Sequence, residues 1–376
     1  MTEPHATEPS TTDSHGTAKP GITELGTGEP GTPDPGAVDS RGTAALPGLD
    51  LDRLADRLGT GPLTGELIPG GRSNLTYRVT DGEHRWVLRR PPLGHVLATA
   101  HDMAREHRVI SALADTAVPV PRAELLCTDT EVLGAPFYLM QEVPGVALRH
   151  RDQCPWLTPD LAETLSDRLV DVLADLHAVD PHEVGLSDFG RPEGFLHRQV
   201  SRWGKQLESS RSRELPGIDE LRDHLAATVP VTRRTTIVHG DYRLDNVLVT
   251  TDPLDISAVL DWEMATLGDP LADLGLLCVY WNGVGVEDDP ITGTVPTLPG
   301  FASAEEMVAR YAERSGADVD GLAWYTAFGY FKLAVILEGI HFRFTRGKTV
   351  GAGFDQIGRL TLPLVRQGLA ASAGER

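Results

Sequence analysis

The sequence predicts an α+β protein with two lobes, in which a small antiparallel sheet precedes a larger, α-rich region. Polar and apolar residues alternate between Leu75 and Arg90, as they do in a β-hairpin. Leucines recur at helical spacing between Thr158 and Ala178, where Thr158 suits an N-cap and Pro159 the first helical position. We therefore expect three regions: a tail at 1–46, a first lobe at 47–143 and a second lobe at 144–376.

The tail and the overall charge limit the kinds of partner that the chain can have. Residues 1–46 are rich in Gly, Pro, Thr, Ser and Glu and carry hardly any large apolar side chain, so we expect this segment to be disordered. A net charge of −20 argues against nucleic acid and anionic membranes as partners. The start of the chain lacks the features of a signal peptide, no run of eighteen apolar residues occurs, and the cysteines are few. We expect a cytoplasmic protein, and its oligomeric state stays open.

A glycine-rich segment precedes the predicted hairpin. Gly70 and Gly71 allow the backbone to approach a phosphate group closely, and Ser73 and Asn74 offer hydrogen-bond donors beside them. The dipeptide Asp81–Gly82 is typical of a hairpin turn. A glycine-rich loop followed by a hairpin is the arrangement that covers the nucleotide in kinases, so these four residues are candidates for phosphate binding.

A polar loop in the second lobe carries the strongest chemical signal. Two β-branched runs bracket residues 239–246, and a third apolar run ends at Asp261. Asp241 and Asn246 are thus five residues apart, and the next strand brings Asp261 beside them. In kinase catalytic loops an Asp at this position accepts a hydroxyl proton, while an Asn and a second Asp bind magnesium.

Three motifs carry a family resemblance. They read His239-Gly-Asp-Tyr-Arg-Leu-Asp-Asn246, Leu260-Asp-Trp-Glu-Met-Ala-Thr-Leu-Gly-Asp-Pro-Leu-Ala-Asp-Leu-Gly275 and Leu88-Arg-Arg-Pro-Pro-Leu-Gly94. The first two resemble the aminoglycoside phosphotransferase family of small-molecule kinases. The third is similar to the branch that resembles the kinase-like domain fused to some acyl-CoA dehydrogenases. The resemblance implies a two-lobed, protein-kinase-like fold with ATP and Mg²⁺ as cofactors.

The kinase plan implies roles for residues of the first lobe. Val87 and Arg89 share one face of the returning strand, where Val87 would cover the adenine and Arg89 would reach the phosphates. Most kinases have Lys at the position of Arg89. A helix predicted over 97–114 places Glu106 among apolar positions, as a partner for Arg89. Backbone groups from Gln141 to Val143 would meet the adenine edge at the hinge between the lobes.

Helices are also predicted in the second lobe at 193–209, 218–228, 304–314, 322–344 and 353–369. Asp269, near the start of the next predicted helix, is only the eighth residue after Asp261, which leaves no room for the activation segment of a protein kinase. The predicted function is therefore a phosphotransferase that acts on a hydroxyl group of a small molecule. The alternatives are a kinase for aminoglycosides, other antibiotics or amino alcohols, and a nucleotide-binding module with weak activity, which the arginine at position 89 would favour.

The charges near the last long helix bear on the acceptor. Between Leu322 and Val350 the chain has one acid, Glu338, and four bases. This favours an amphipathic anion, such as a hydroxy acid or its coenzyme A thioester, over a polycation. Arg343 is the candidate for binding such an acceptor, and Glu263, beside the predicted metal site, is a second candidate that would suit a cation.

Overall fold

The computed structural model describes residues 46–69, 74–93, 101–283, 294–347 and 354–374. Within these ranges a lobe built on a five-stranded sheet precedes a lobe built mainly of helices, so the predicted α+β class and the order of the lobes are confirmed. Residues 1–45 of the predicted tail lie outside the described residues. Leu46 packs against the core of the first lobe.

Within its described residues, the first lobe contains five strands and three helices. In chain order they are α1 (Leu51–Leu58), β1 (Thr64–Leu67), β2 (Leu75–Thr80), β3 (Arg85–Arg90), α2 (Met103–Leu113), β4 (Ala123–Cys127), α3 (Thr130–Leu133) and β5 (Phe137–Gln141). The sheet is antiparallel with the strand order β1-β2-β3-β5-β4.

The alternating pattern of the hairpin sorts its side chains onto two faces. Tyr77, Val79 and Leu88 are fully buried in one cluster with Leu54 of α1. Residues next to them in sequence face the other side of the sheet, toward the second lobe. The predicted turn is present, and the Asp81 carboxylate accepts hydrogen bonds from the backbone amides of the two residues after Gly82, at 2.9 and 2.7 Å.

Helix α2 begins later than the sequence predicted. The predicted start at 97 lies outside the described residues, and the helix begins at Met103. Asp102 is its N-cap and accepts a hydrogen bond from the backbone amide of Arg105 at 3.0 Å. The cap fixes the first turn, because it satisfies an amide that has no partner within the helix.

The second lobe contains eight helices and four short strands within the described residues. They are α4 (Pro159–Ala178), α5 (Phe195–Ser210), α6 (Ile218–Ala227), β6 (Thr236–Val238), β7 (Val247–Thr251), β8 (Leu254–Val259), β9 (Thr266–Gly268), α7 (Leu271–Asn282), α8 (Ala304–Ser315), α9 (Leu322–Thr345), α10 (Phe354–Ile357) and α11 (Thr361–Ser372).

Most of the predicted helices match these bounds within two residues, and the last one does not. The sequence predicted one helix over 353–369, whereas the structure has α10 and α11 separated by a short 3-10 segment at Gly358–Leu360. Arg213 donates a hydrogen bond to the Gly358 carbonyl, which withdraws that oxygen from the helical pattern. A Cβ atom at Gly358 would also lie 2.4 Å from the His341 ring, so α9 approaches the chain closely here.

Helix α9 lies at the centre of the second lobe. It packs along α7, where a Cβ atom at Gly275 would lie 2.6 Å from the backbone of Tyr325, so that glycine permits the close contact of the two helices. Most of the side chains of α9 are buried. Even so, neither this helix nor any other in the described ranges has the length and apolar character that a membrane crossing needs.

Candidate active site

Two short antiparallel ribbons hold the polar loop in place. Strand β6 pairs with β9, and β7 pairs with β8, so the loop 239–246 and the segment after β8 emerge side by side. The backbone amide of Leu260 donates to the carbonyl of Asn246 at 2.8 Å and joins the two segments. This pairing brings Asp241, Asn246 and Asp261 to one end of the ribbons.

The carboxylate of Asp241 is held by two donors. The Tyr280 hydroxyl donates to Oδ1 at 2.6 Å, and the Asn246 side-chain amide donates to Oδ2 at 2.9 Å. Asn246 also donates to the Asp241 carbonyl at 2.8 Å. Burial and the charge of Asp241 hold the pKa of Tyr280 well above its ordinary value, so its hydroxyl stays a donor. The candidate base therefore has a fixed orientation.

A buried carboxylate below the loop fixes its backbone. Asp273 of α7 accepts hydrogen bonds from the backbone amides of His239, at 2.6 Å, and Gly240, at 2.8 Å. Burial alone would raise the pKa of Asp273, but the hydrogen bond from His177 and the loop amides hold it below its ordinary value. The His239 ring forms a hydrogen bond with the Leu260 carbonyl at 2.8 Å, which helps to orient the loop.

Asp261 and Asn246 offer oxygen atoms of the kind that Mg²⁺ prefers. Asp261 has a backbone φ of 65°, the left-handed region, and its side chain is 32% exposed. Because the Asn246 nitrogen is engaged by Asp241, its amide oxygen is the atom left to bind a metal. Within the described residues no cluster of three His, Cys, Asp or Glu side chains suits a metal, so a Mg²⁺ ion here would also need substrate and water oxygens. The donor set fits that ion.

Arg89 connects the two lobes through carboxylates. Its Nε atom lies 3.2 Å from Glu106 Oε2, the pairing that the sequence predicted, and its NH2 atom lies 3.1 Å from Asp261 Oδ1. The side chains of Arg89 and Glu106 are 11% and 1% exposed. Burial alone would lower the pKa of Arg89, but the charge of Glu106 and then that of Asp261 raise it well above its ordinary value. Arg89 therefore carries its charge into the cleft between the lobes.

The predicted phosphate loop is described only at its last residue. Gly70, Gly71 and Ser73 lie outside the described residues. The Asn74 amide nitrogen donates to Glu106 at 3.1 Å and to Glu263 at 3.3 Å, so here it serves carboxylates rather than facing a phosphate.

The adenine-binding residues stay a prediction, with one constraint on Gln141. Val87 packs at the border of the second-lobe core, as a residue roofing the cleft would. The Gln141 amide, however, donates to the Arg122 carbonyl at 2.8 Å, because this residue still belongs to β5. Val143 lies beyond the strand, and its backbone amide has no such partner in the described parts of the chain. Val143 is therefore the better candidate for the adenine edge.

A cavity of about 250 Å³ opens beside the catalytic loop. Its wall includes Gly240, next to Asp241, and Glu263, next to the candidate metal ligand. Phe195 of α5 and Phe328 of α9 give it apolar surface, whereas Arg202 of α5 and Lys332 of α9 give it positive charge; all four residues line it. The Lys332 ammonium donates to the Gly240 carbonyl at 2.7 Å. A small molecule bound here would lie against the catalytic loop.

Of the two residues predicted to bind the acceptor, only Glu263 lies at this cavity. Arg343 is not part of its lining, and it lies eleven residues beyond Lys332 on α9, about 16 Å along the helix axis. The structure therefore does not bring Arg343 to the catalytic loop.

The sequence analysis missed Tyr280, Lys332 and Arg202 as site residues. Tyr280 and Lys332 lie on α7 and α9, which are buried on nearly all sides, so their sequences have no polar stripe that shows which residue faces the loop. Arg202 lies on an amphipathic helix whose other basic residues face solvent. A lysine with apolar residues on both sides of it in the helix is the one signal that reasoning from the residues could have followed.

Comparison with known proteins identifies the family of the chain. A family model described as "Phosphotransferase enzyme family" (APH) matches residues 64–325. Mouse acyl-CoA dehydrogenase family member 10 is 34% identical over 336 residues, which are 85% of this chain and 31% of the mouse protein. The chain thus spans about a third of the length of that relative.

Solved structures give the same result. A Ralstonia eutropha protein proposed to be an aminoglycoside phosphotransferase is 33% identical, with a TM-score of 0.76 over 87% of this chain and 99% of its own. A thermostable mutant of the aminoglycoside phosphotransferase APH(4)-Ia, solved with AMP-PNP and hygromycin B, shares only the fold, at 15% identity and a TM-score of 0.59 over 86% of this chain and 98% of its own. The family resemblance seen in the motifs is confirmed, and the chain belongs to the APH phosphotransferase family, with its kinase-like fold.

Proposed function

We propose that the protein is a Mg²⁺- and ATP-dependent kinase that phosphorylates a hydroxyl group of a small molecule. The observation that carries this proposal is the convergence of Asp241, Asn246, Asp261 and Arg89 at one cleft, in contact with one another. A base, two oxygen ligands and a fixed cation supply much of what phosphoryl transfer requires from a protein.

The nucleotide would bind between the lobes. Val87 covers the adenine and Val143 meets its edge, while Arg89 binds phosphate oxygens. Gly70, Gly71, Ser73 and Asn74 remain proposed phosphate contacts on sequence grounds. Asn246 and Asp261 would hold Mg²⁺, which neutralises charge on the phosphate oxygens when it is bound.

In the transfer step, the acceptor hydroxyl oxygen forms a bond to the terminal phosphorus of ATP. The bond from that phosphorus to the bridging oxygen breaks, and ADP leaves with its electron pair. The hydroxyl proton passes to the Asp241 carboxylate, whose orientation is fixed by Tyr280. Holding the two substrates in line contributes much of the rate acceleration.

The acceptor would occupy the cavity beside Gly240. Its aromatic walls suit a short hydrocarbon chain, and its basic side chains suit a negative charge. The similarity to an acyl-CoA dehydrogenase family member also supports an acyl compound. We therefore propose a hydroxy acid or a hydroxyacyl thioester as the acceptor.

A cationic acceptor is the second candidate, because Glu263 lines the same cavity and the related APH(4)-Ia structure contains hygromycin B. The two candidates differ in the sign of charge that the cavity must bind. Arginine at position 89 favours the third candidate, a weakly active nucleotide-binding module. The two ion pairs of Arg89 count against it, because they hold the guanidinium beside Asp261, a candidate magnesium ligand.

Release of ADP measured against a panel of acceptors tests the function. The panel contains hydroxy acids of four to eight carbons, their coenzyme A thioesters, kanamycin, hygromycin B and simple amino alcohols. We expect turnover with the acids or thioesters, dependent on Mg²⁺, and none in Asp241→Asn. Turnover of the antibiotics alone would support the second candidate, and nucleotide binding without turnover of any compound would support the weakly active module.

A further inference from the structure

We propose that Arg202, together with Gln199 on the same face of α5, binds the anionic group of the acceptor, a carboxylate or a phosphate. This inference rests on the proposed function and adds the residues that select the acceptor. Both side chains line the cavity beside the catalytic loop. They lie three residues apart, which places them next to each other on a helix.

The first argument is that Arg202 forms no ion pair within the described parts of the chain. It is half-buried, yet within the described residues its guanidinium has neither a carboxylate nor a carbonyl partner, and its nearest described ring contact is Trp203, 5.6 Å from the ring centroid. Burial lowers the pKa of Arg202, so the protein bears a desolvation cost there that nothing in the described chain offsets. A bound oxyanion would offset it.

The other arginine of this cavity shows the contrast. Arg105 also lines the wall, and its NH2 group donates to the carbonyls of Phe189 at 2.6 Å and Ala265 at 2.9 Å. Its guanidinium also lies 3.8 Å from the centre of the Phe189 ring. Arg105 therefore joins parts of the structure, whereas the donors of Arg202 have no such partner among the described residues.

The second argument is that the acids of the cavity already have partners. Glu106 is paired with Arg89, Asp273 binds the loop amides, and Asp102 caps α2. Glu263 accepts from Asn74 at 3.3 Å. Each of these four carboxylates therefore already has a hydrogen-bond or ion-pair partner, and none of the partners named here is Arg202.

The third argument is the field around Lys332. Burial lowers the pKa of this lysine, and the nearby charge of Arg202 lowers it further, against the opposing charges of Asp241 and Asp273. Lys332 lines the same cavity wall and is a second cation that adds to the attraction of Arg202 for an anion. The planar guanidinium of Arg202 suits a carboxylate or phosphate, because it can donate two parallel hydrogen bonds.

The proposal also gives the acceptor a direction. Its hydroxyl group would face Asp241 beside Gly240, its hydrocarbon part would lie along Phe195 and Phe328, and its anionic group would meet α5. A molecule with a hydroxyl at one end and a charge at the other matches both ends of the site.

Steady-state kinetics on Arg202→Met and Arg202→Lys test the proposal, with Arg198→Met as the matched control. Arg198 is an exposed arginine one turn earlier on α5 and is not part of the cavity lining. We expect Arg202→Met to raise the KM for hydroxy acids about 10- to 100-fold, the value of a charged hydrogen bond, and to leave the KM for ATP unchanged. Arg202→Lys should recover part of the loss, and Arg198→Met should behave as wild type.

Uncharged analogues separate anion binding from general damage. The primary amide of each hydroxy acid keeps the shape and removes the charge. Arg202→Met should therefore have the same KM for the amide as wild type. Coenzyme A and pantetheine thioesters identify the source of the anion. If Arg202→Met raises the KM for the coenzyme A thioester alone, the bound group is a phosphate. If it raises the KM for the free acid, the bound group is a carboxylate.

Calorimetric binding of the hydroxy acid in the presence of MgADP tests the site without turnover. If no compound in the panel is phosphorylated, the proposed kinase function fails, while binding that depends on Arg202 still supports the anion site. Equal affinity of wild type and Arg202→Met for every anionic compound overturns the inference, even where turnover is normal. The same loss for acids and amides overturns it as well.

Discussion

Replacing Tyr280 with phenylalanine should lower kcat by about tenfold or more and leave the KM for ATP nearly unchanged. The substitution removes one hydroxyl group, which donates to Asp241 Oδ1 at 2.6 Å. The ring stays, and with it the contact to Arg243, whose guanidinium lies 4.7 Å from the ring centre. If Asn246 turns toward a metal ion, Tyr280 is the donor that still orients the base.

The size of the effect follows from the kind of hydrogen bond. A hydrogen bond to a charged group contributes about 1.5–3 kcal/mol, which corresponds to roughly 10- to 150-fold in rate if all of it is expressed in the transition state. The Asp241 side chain is 29% exposed, so water can replace the lost donor in the ground state. The free energy of unfolding should therefore fall by only about 1 kcal/mol.

Tyr325→Phe is the matched control. Its hydroxyl donates to Asp269 at 2.8 Å, so this variant also loses a bond from tyrosine to aspartate, at a distance from the catalytic loop. Coupled measurement of ADP release and thermal unfolding of both variants separates catalysis from stability. The reasoning is refuted if Tyr280→Phe keeps kcat within twofold of wild type, or if Tyr325→Phe loses as much activity at equal stability.

Four further predictions concern the loop, the metal site and the tail. Asp241→Asn should abolish turnover and leave nucleotide affinity within a few-fold of wild type, because the base acts in the transition state. A variant with the kcat of wild type would exclude Asp241 as the base. Asp261→Ala should remove the Mg²⁺ dependence of nucleotide binding, and calorimetry showing unchanged affinity would contradict its role. Asp273→Asn should lower the free energy of unfolding by about 2–4 kcal/mol. The pKa of Asp273 is lowered in the folded state, so the difference in unfolding free energy between wild type and this variant should be fully present above the unfolded pKa near 4. It should shrink in more acidic solution, and thermal unfolding at several pH values measures it. Removal of residues 1–45 should change neither Tm nor kcat, because the segment has no apolar face, and a drop of several degrees would contradict this.

Local spacing in the sequence explains what could be predicted. Asp241, Asn246 and Asp261 are held by hydrogen bonds across adjacent strand ends, so their proximity follows from the strand pattern alone. The pair of Arg89 and Glu106 follows from two periodicities, one of a strand and one of a helix.

The remaining site residues depend on how helices pack. Lys332 reaches the loop only because α9 lies against α7 with one particular rotation, and a uniformly apolar helix does not encode that rotation. The prediction for Arg343 rested on a count of charges along α9. Such a count carries no information about distance from the loop, and Arg343 lies outside the cavity.

The hydrogen bond from Lys332 to Gly240 makes the catalytic loop depend on a segment that lies far downstream in the sequence. The two residues are 92 positions apart, and Lys332 lies beyond residue 325, where the family match ends. A shortened protein that stops at this boundary would contain every motif residue and still lack the loop's ammonium partner, the rest of α9 and all of α11. Nonsense or frameshift changes from codon 326 to codon 332 should therefore act as active-site lesions, and shortened variants should be designed from the packing of α9 rather than from the motif boundaries.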